Sequence, residues 1–284
     1  MHVNGETKIY AIIGDPVEHT ISPFLHNSAF KATELNSIYV AFRVIPERLA
    51  QAVDGLRSLS VKGFNVTIPH KVTVSPLLDE IDPSARKIGA VNTVKNTNGR
   101  LMGYNTDGEG ALMALEEANI NLKGKTIILG AGGAARAIAF TLVKHVNEIV
   151  ICNRTEAKAL ELASELRKHT DIPVTGKKLD FQLSSEELDD GDLIINTTSV
   201  GMHPDIDNSP INTDVISRNI TVFDIVYTPF KTKLLKEAEA RGAKTVPGIN
   251  MLVYQAMKSF EIWTKKTVNV EVFFKAATNA LERQ

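Results

Sequence analysis

The chain has 284 residues, of which 43% are hydrophobic and 23% charged, the composition of a folded globular protein rather than of a disordered chain. Its 32 Lys and Arg residues balance 33 Asp and Glu residues to a formal net charge of -1, so neither nucleic acid nor an anionic membrane is expected as a partner. A small molecule is the partner that this balance favours.

The single cysteine and the N-terminal residues indicate the cellular compartment in which the protein is expected. Cys152 cannot form an intramolecular disulfide and lies in an apolar run, where a thiol usually packs as a small hydrophobic group. No apolar segment resembles a signal peptide, and no apolar run reaches the roughly 20 residues that span a bilayer. We therefore expect a cytoplasmic protein, with a homodimer left open.

Short apolar runs alternate with longer amphipathic segments along most of the chain, which predicts an α/β fold with parallel strands. In the first part of the chain, the predicted strands cover residues 8–14, 37–44 and 63–68. The predicted helices between them cover residues 22–35 and 46–59. Residues 90–104 then predict two short strands that meet at Asn98-Gly99, a strong hairpin signal.

A helix is expected from about Asp107, and a second domain after it. Residues 125–155 predict a strand, a glycine turn, a helix and another strand, the length of one βαβ unit. Further strands are predicted at residues 192–199, 221–227 and 243–246. The chain closes with helices predicted at residues 248–267 and 270–284.

The glycine turn stands directly after the strand at residues 125–129. Its spacing is G-x-G-x-x-A, from Gly130 through Gly132 to Ala135. Glycines there permit a tight turn and let backbone N–H groups approach a pyrophosphate at the positive end of the following helix. Because the turn lies inside a βαβ unit, it predicts dinucleotide binding. A turn that only closes the helix on the sheet is the alternative.

The end of the next strand indicates which dinucleotide is bound. An acidic residue about 20 residues after the glycines would hydrogen-bond the ribose of NAD and repel a 2′-phosphate. The turn here reads Asn153-Arg154-Thr155, and Lys158 follows one helical turn later. These basic and hydroxyl groups suit a phosphate, so the turn favours NADP. The alternative is a solvated helix start that happens to carry basic residues.

Four polar stretches lie outside this unit, each where a strand or hairpin is predicted to end, the usual place for site residues in α/β folds. They cover residues 14–27, 65–71, 90–93 and 103–108. Taken singly, each has a structural explanation. Ser22 could cap a helix with Pro23 at its first position, Asn92 and Asp107 could be turn or capping residues, and Lys71 could be a surface charge.

Taken together and in this order, these stretches resemble the shikimate dehydrogenase family, within the wider shikimate/quinate dehydrogenases. The resemblance continues through residues 153–155, 196–202, 224–229 and 247–255. It implies an NADP-dependent oxidoreductase that reversibly reduces 3-dehydroshikimate to shikimate with NADPH, a step of aromatic amino-acid biosynthesis.

The resemblance also implies an organisation into two domains. Residues 1–108 would form an α/β substrate-binding and catalytic domain, completed by C-terminal helices at 248–284. Residues 109–247 would form a Rossmann-like, doubly wound NADP-binding domain, and the two domains would close on the ligands.

Site residues are carried over by motif. Lys71 and Asp107 would be the catalytic pair, and both would contact substrate. The other substrate-binding residues would be Thr20, Ser22 and Tyr227 at the carboxylate, and Asn65, Thr67, Asn92 and Gln255 at the ring hydroxyls. The cofactor-binding residues would be Gly130, Ala131, Gly132, Gly133, Ala134, Asn153, Arg154, Thr155, Glu156, Ala157, Lys158, Thr197, Ile225, Gly248 and Met251.

The residue chemistry fits this assignment. Reduction of a ketone places hydride on carbon and a proton on oxygen, and Lys71 can supply the proton beside the carbonyl. Whether Lys71 donates the proton or mainly polarises the carbonyl stays open at this point, as does its protonation state. With one cysteine and no HExxH motif, no metal is expected.

One departure from the family pattern affects specificity. The family commonly carries two serines in H-S-x-S-P, whereas the first position here is Thr20. The added methyl group leaves two readings open, unchanged affinity or altered discrimination against quinate. The rivals are thus a quinate/shikimate dehydrogenase with broader substrate or cofactor use, and a non-catalytic NADPH-binding regulator of the same fold.

Overall fold

A computed structural model describes residues 3–180 and 192–282. The chain divides into two compact units, Met1–Asp107 with Val253–Gln284, and Gly108–Leu252. Both boundaries fall inside helices, α4 at Asp107–Glu117 and α8 at Gly248–Thr264. Within the described ranges, no helix is both long enough and apolar enough to cross a membrane.

The first unit is built on a mixed six-stranded sheet of order β2-β1-β3-β5-β6-β4. Its strands are β1 Lys8–Gly14, β2 Ser37–Arg43, β3 Gly63–Val66, β4 Glu80–Ile81, β5 Thr93–Thr97 and β6 Arg100–Tyr104. Its other helices are α1 Ser22–Ala32, α2 Leu49–Ser58, α3 Pro83–Ile88 and α9 Val270–Leu281. Strands β1, β2 and β3 run parallel, while the β5–β6 hairpin joins β3 antiparallel.

The first unit differs from the prediction at one strand end and in two added elements. Strand β3 ends at Val66 rather than at residue 68, because His70 N already donates to the Thr67 carbonyl in a turn. Strand β4 and helix α3 are additions, too short to leave a hydrophobic period in the sequence. The last two residues of the predicted C-terminal helix, 283–284, lie outside the described residues.

An aromatic core joins the C-terminal helices to the first unit, as the predicted return of these helices requires. Trp263 of α8 lies 5.2 Å from Tyr10 of β1, measured between ring centroids, and Phe260 lies 5.4 Å from Phe30 of α1. Trp263 also donates its indole N–H to the Val94 carbonyl at 2.9 Å. A Cβ on Gly63 would stand 2.3 Å from that indole, so the helix can approach β3 only because residue 63 is glycine.

The second unit is a parallel six-stranded sheet of order β12-β11-β10-β7-β8-β9. Its strands are β7 Lys125–Leu129, β8 Glu148–Asn153, β9 Val174–Lys178, β10 Leu193–Asn196, β11 Thr221–Asp224 and β12 Lys244–Pro247. Helices α5 Gly133–Leu142, α6 Glu156–Arg167 and α7 Lys233–Ala240 connect them. The strand order reverses between β7 and β10, which is the doubly wound topology and its switch point. The predicted Rossmann-like fold is confirmed.

Candidate active site

Lys71 and Asp107 form an ion pair in the first unit. Lys71 lies in the turn after β3, where its carbonyl accepts a hydrogen bond from Val91 N at 2.7 Å, and Asp107 is the first residue of α4. Lys71 Nζ donates to Asp107 Oδ2 at 2.6 Å, and the two side chains are only 16% and 5% exposed. The reading of Lys71 as a solvated surface charge is therefore wrong.

Asn92 holds the other oxygen of that carboxylate. Its Nδ2 donates to Asp107 Oδ1 at 2.9 Å and to Thr106 Oγ1 at 2.8 Å, and it lies 3.4 Å from Gln255 Oε1. Asn92 is buried just before β5, where its backbone N–H donates to the Tyr104 carbonyl. The hairpin thus brings Asn92 and Asp107 to Lys71, while Gln255 of α8 lies beside Asn92.

Asn65 lies beside this group, at the third position of β3. Tyr39 donates its hydroxyl to Asn65 Oδ1 at 2.7 Å, while Asn65 Nδ2 donates to the Asn92 carbonyl at 3.1 Å. Thr67 follows in the turn that leads to Lys71 and is half-buried. The two residues therefore flank the path of the chain into the ion pair.

Thr20 and Ser22 bond to each other at the start of α1. The Thr20 hydroxyl donates to Ser22 Oγ at 3.1 Å, and Ser22 N donates back to Thr20 Oγ1 at 3.3 Å. The helix-capping position belongs to Ile21, with no side-chain capping bond, so Ser22 does not cap the helix. The paired hydroxyls are therefore not needed for helix capping and could bind a carboxylate, the role predicted for them.

Two histidines adjoin this motif, and His26 packs rather than reacts. It is fully buried, with its ring stacked on Tyr39 at a centroid distance of 4.4 Å. Burial lowers the pKa of His26 to about 3, against a weaker opposing effect of Asn65, so the ring is neutral near neutral pH.

Across residues 3–180 and 192–282, no three His, Cys, Asp or Glu side chains form a group that could hold a metal.

In the second unit, the glycine turn has the geometry that the motif predicts. Gly130 adopts φ +115°, and a Cβ there would stand 2.4 Å from Thr197 Oγ1, so only glycine fits. The Thr197 hydroxyl is held by the Leu129 carbonyl at 2.7 Å. Gly132 precedes α5, and a Cβ on it would meet nothing within 4 Å, so this helix start is open to a pyrophosphate.

The turn after β8 exposes the predicted phosphate-binding groups. Asn153 Nδ2 donates to the Thr155 carbonyl at 2.9 Å, which shapes the turn. Arg154, Thr155 and Lys158 are exposed, and Thr155 precedes α6 without making a side-chain capping bond. A guanidinium, a hydroxyl and an ammonium group on an open helix start fit the 2′-phosphate of NADP.

The remaining predicted residues of the second unit lie at the ends of its strands. Ile225 and Tyr227 follow β11, and Gly248 begins α8 with Met251 buried in its first turn. A Cβ on Gly248 would stand 2.4 Å from the Ile225 carbonyl oxygen, so these two segments touch through backbone. Ile225 N donates to the Asn196 carbonyl at 3.1 Å, which fixes it beside β10.

Asp224 is a buried carboxyl that sequence reasoning did not single out. Its Oδ1 accepts hydrogen bonds from Asn196 Nδ2 at 2.9 Å and Val226 N at 3.0 Å. Its Oδ2 accepts a bond from the Thr232 hydroxyl at 2.7 Å. Burial nonetheless raises the pKa of Asp224 to about 6, with these bonds opposing the shift.

This raised pKa predicts a pH dependence of stability. The folded state binds the proton more tightly than the unfolded chain, whose carboxyl has a pKa of 3.8. The contribution of Asp224 is therefore fully present below about pH 4 and is lost as the pH rises to about 6, on the order of 3 kcal/mol in all. Asp224→Asn keeps the two bonds to Oδ1 and removes the titration.

Urea unfolding of both proteins across this range checks the prediction. The variant's free energy of unfolding should rise relative to that of wild type between about pH 4 and pH 6 and run parallel above it. The exposed Asp205→Asn is the matched control in the same unit. A constant difference between Asp224→Asn and wild type across the whole range would contradict the assignment.

Several residues of the first unit were also missed. Ser259 of α8 and Tyr39 of β2 are buried and bond to Asn65, while Thr93 and Thr106 connect Asn65 to Asn92. Ser259 could have been found from its spacing, because it follows Gln255 by four residues and so shares its helix face. For Tyr39, no signal in the sequence separates it from an ordinary core tyrosine.

Comparison with known proteins covers nearly the whole chain. Residues 12–94 match the shikimate dehydrogenase substrate binding domain. Residues 113–228 match shikimate / quinate 5-dehydrogenase, and residues 248–277 match the shikimate 5′-dehydrogenase C-terminal domain. The three matches follow one another in the order of the chain.

Full-length relatives agree with these domain matches. The chain is 47% identical over 283 residues to a shikimate dehydrogenase (NADP(+)) of Methanocaldococcus jannaschii, covering 99% of this chain and 100% of the relative. A crystal structure of a shikimate dehydrogenase in complex with NADP+ has a TM-score of 0.90 at 44% identity, covering 99% of this chain and 98% of the other.

A second solved structure is that of shikimate 5-dehydrogenase from Thermus thermophilus, in complex with NADP(H) and shikimate. Its TM-score is 0.86 at 35% identity, covering 96% of this chain and 100% of that one. Identity and coverage at this level show common descent over the full length, so the chain belongs to the shikimate dehydrogenase family.

Proposed function

We propose that this protein catalyses the reversible NADPH-dependent reduction of 3-dehydroshikimate to shikimate, a step of aromatic amino-acid biosynthesis. The observation that carries the proposal is the 2.6 Å contact of Lys71 Nζ with Asp107 Oδ2, held by Asn92 among the other substrate residues. Dinucleotide binding rests on the glycine turn, and the preference for NADP rests on the exposed Arg154 and Thr155. Relatives that bind NADP support it.

The chain's own groups would handle the proton and the substrate. The glycine turn would hold NADPH, which would supply the hydride. Lys71 lies beside the substrate carbonyl and gives its oxygen a proton in reduction, or takes one back in the reverse direction. Asp107 accepts a hydrogen bond from Lys71 and orients its ammonium group, while Asn92 fixes the carboxylate from the other side.

The remaining substrate contacts divide by chemistry. The paired hydroxyls of Thr20 and Ser22 are donors suited to the carboxylate, and Tyr227 is assigned to the same carboxylate on the family motif alone. The amides of Asn65, Asn92 and Gln255 and the hydroxyl of Thr67 address the ring hydroxyls, because an amide can both donate and accept. Each of these residues stays a prediction for mutagenesis.

The cofactor contacts also stay predictions. Backbone N–H groups of Gly130 to Ala134 would meet the pyrophosphate, and residues from Asn153 to Lys158 would meet the adenosine 2′-phosphate. The nicotinamide end would be lined by Thr197, Ile225, Gly248 and Met251. We assign residues 1–108 with 248–284 to substrate and residues 109–247 to NADP.

Two alternatives follow from specific observations. Thr20, in place of serine, leaves a quinate/shikimate dehydrogenase with broader substrate or cofactor use as the nearest rival. A non-catalytic NADPH-binding regulator is the rival from another class, but it would not need a partly buried lysine–carboxylate pair. The preserved pair therefore favours the enzyme.

Steady-state assays of shikimate and quinate, each with NADP and with NAD, test the proposal. We expect the largest kcat/KM for shikimate with NADP. Comparable values for quinate would instead establish the broader dehydrogenase, and comparable values with NAD would remove the cofactor preference. Absence of turnover with all four pairs, in protein that binds NADPH, would support the regulator.

The proposal also covers the cellular location and the oligomeric state of the protein. A cytoplasmic enzyme agrees with the sequence expectation, and fractionation of cells that produce it would test this. The homodimer is kept as an option, and light scattering on the purified protein would decide between one chain and two.

A further inference from the structure

Four buried side chains of the first unit form a closed ring of hydrogen bonds. Asn92 Nδ2 donates to Thr106 Oγ1 at 2.8 Å, and Thr106 Oγ1 lies 3.2 Å from Ser259 Oγ. Ser259 Oγ lies 2.7 Å from Thr93 Oγ1, which donates to Asn92 Oδ1 at 3.0 Å. Each of the four residues is at most 2% exposed, so water does not compete for these bonds.

The direction of the ring follows from the amide. Thr106 N, which can only donate, points to Asn92 Oδ1 at 2.8 Å and marks that atom as the acceptor end. Thr106 then accepts from Nδ2 and donates to Ser259, Ser259 donates to Thr93, and Thr93 donates back to Oδ1. Within the ring each hydroxyl donates once and accepts once, and Thr93 and Ser259 also accept a bond from Asn65 Nδ2. Hydrogen bonds in such a chain strengthen one another.

This direction matters for the catalytic carboxylate. With the amide so turned, Asn92 Nδ2 faces Asp107 Oδ1 at 2.9 Å, while Asp107 Oδ2 takes the Lys71 ammonium group. A flipped amide would present its oxygen to the carboxylate, and two acceptors would face each other without a proton. The ring and the Thr106 N–H therefore favour the same orientation of Asn92, the one in which its amide nitrogen holds Asp107.

Ser259 is the one member of the ring that comes from the C-terminal helix α8. Its hydroxyl also accepts a bond from Asn65 Nδ2 at 3.1 Å, and its one proton has a second acceptor in the Gln255 carbonyl, 3.0 Å away and one turn earlier. The carbonyl four residues earlier is the acceptor that a serine inside a helix uses when no other acceptor is in reach. Ser259 thus links three proposed substrate residues: it bonds directly to Asn65 and to the Gln255 backbone, and it reaches Asn92 through Thr93.

We propose that Ser259 is a positioning residue, which closes the ring and so keeps Asn92 turned to hold Asp107 beside Lys71. It acts through Asn92 and does not itself touch substrate. The inference rests on the proposed function of Lys71 and Asp107.

Ser259→Ala should lower kcat/KM for shikimate by about 10-fold, the effect of losing one well-placed hydrogen bond, with KM for NADP unchanged. Ser259→Thr keeps the hydroxyl and should restore most of the loss. Thr264→Val is the matched control, because Thr264 makes the same type of bond to the Phe260 carbonyl on the same helix without joining the ring. Thermal unfolding of each variant is measured in parallel.

The outcomes separate this inference from the proposed function. No turnover by wild type would refute the proposed function, whereas an active wild type with an equally active Ser259→Ala overturns the inference, whatever its melting temperature. If Ser259→Ala does not fold, Thr93→Val opens the ring at the hydroxyl next to Ser259 and should show the same loss, with Thr93→Ser as its rescue. Wild-type kcat/KM in Thr93→Val would likewise overturn the inference.

A double-mutant cycle tests the link without any assay of activity. Ser259→Ala and Asp107→Asn should be non-additive in the free energy of unfolding, because the ring connects them through Asn92. Additive losses would refute the connection even in an inactive protein.

Discussion

Lys71→Met is expected to lower turnover of shikimate by at least about 10²-fold, the contribution typical of a positioned acid or base. Methionine keeps the length and packing of the stem but cannot exchange a proton with the substrate oxygen. The affinity for NADPH, measured by fluorescence titration, should stay unchanged because the proposed cofactor residues lie in the second unit. The loss should therefore appear in kcat rather than in cofactor binding.

The control for this variant is Lys62→Met, the same change at a half-buried lysine just before β3. It should retain wild-type turnover. Turnover within a few-fold of wild type in Lys71→Met would refute the catalytic role of the lysine. A variant that lost NADPH binding as well would point to a folding defect, which thermal unfolding would detect.

Arg154→Gln is expected to weaken NADPH binding by about 10- to 100-fold while leaving NADH binding nearly unchanged. The guanidinium is exposed at the start of α6 and is the group in that turn best suited to a phosphate. Because NADH lacks the 2′-phosphate, only NADPH loses an interaction. Titration of both nucleotides against both proteins measures the change.

Arg218→Gln provides the comparison, since Arg218 is an exposed arginine of the same unit outside the turn after β8. It should bind both nucleotides as wild type does. Equal weakening of NADPH and NADH by Arg154→Gln would mean that the arginine contacts a part common to both. The preference would then have to come from Thr155 or Lys158.

The elements with a strong hydrophobic period could be predicted from the sequence. The strand before Gly130 and the helix after it could be predicted because their signals, the glycine spacing and the apolar runs, lie within the segment itself. Strand β9 was missed because four of its five residues, in Thr175-Gly176-Lys177-Lys178, are polar or glycine. Its position depends on pairing with β8, which no local pattern records.

The site divides in a similar way. Lys71 and Asp107 could be paired in advance by the family motif, although 36 residues separate them in the chain. The role of Ser259 could not, because its spacing places it on the helix face of Gln255 but does not identify the residues to which it bonds. Its burial against Thr93 and Thr106 is decided by packing across 166 and 153 residues of sequence separation. Asp224 is a similar case, since its donor Asn196 lies 28 residues away on the neighbouring strand.

The exposure of Arg154, Thr155 and Lys158 has a consequence for how such an enzyme can change over evolutionary time. These side chains lie outside the core, and most substitutions at such positions shift stability by no more than about 0.5 kcal/mol. Coenzyme preference can thus drift by single replacements that the fold tolerates. The interior set of Lys71, Asn92 and Asp107 shares its hydrogen bonds, so a new chemistry there would need several coordinated replacements at once.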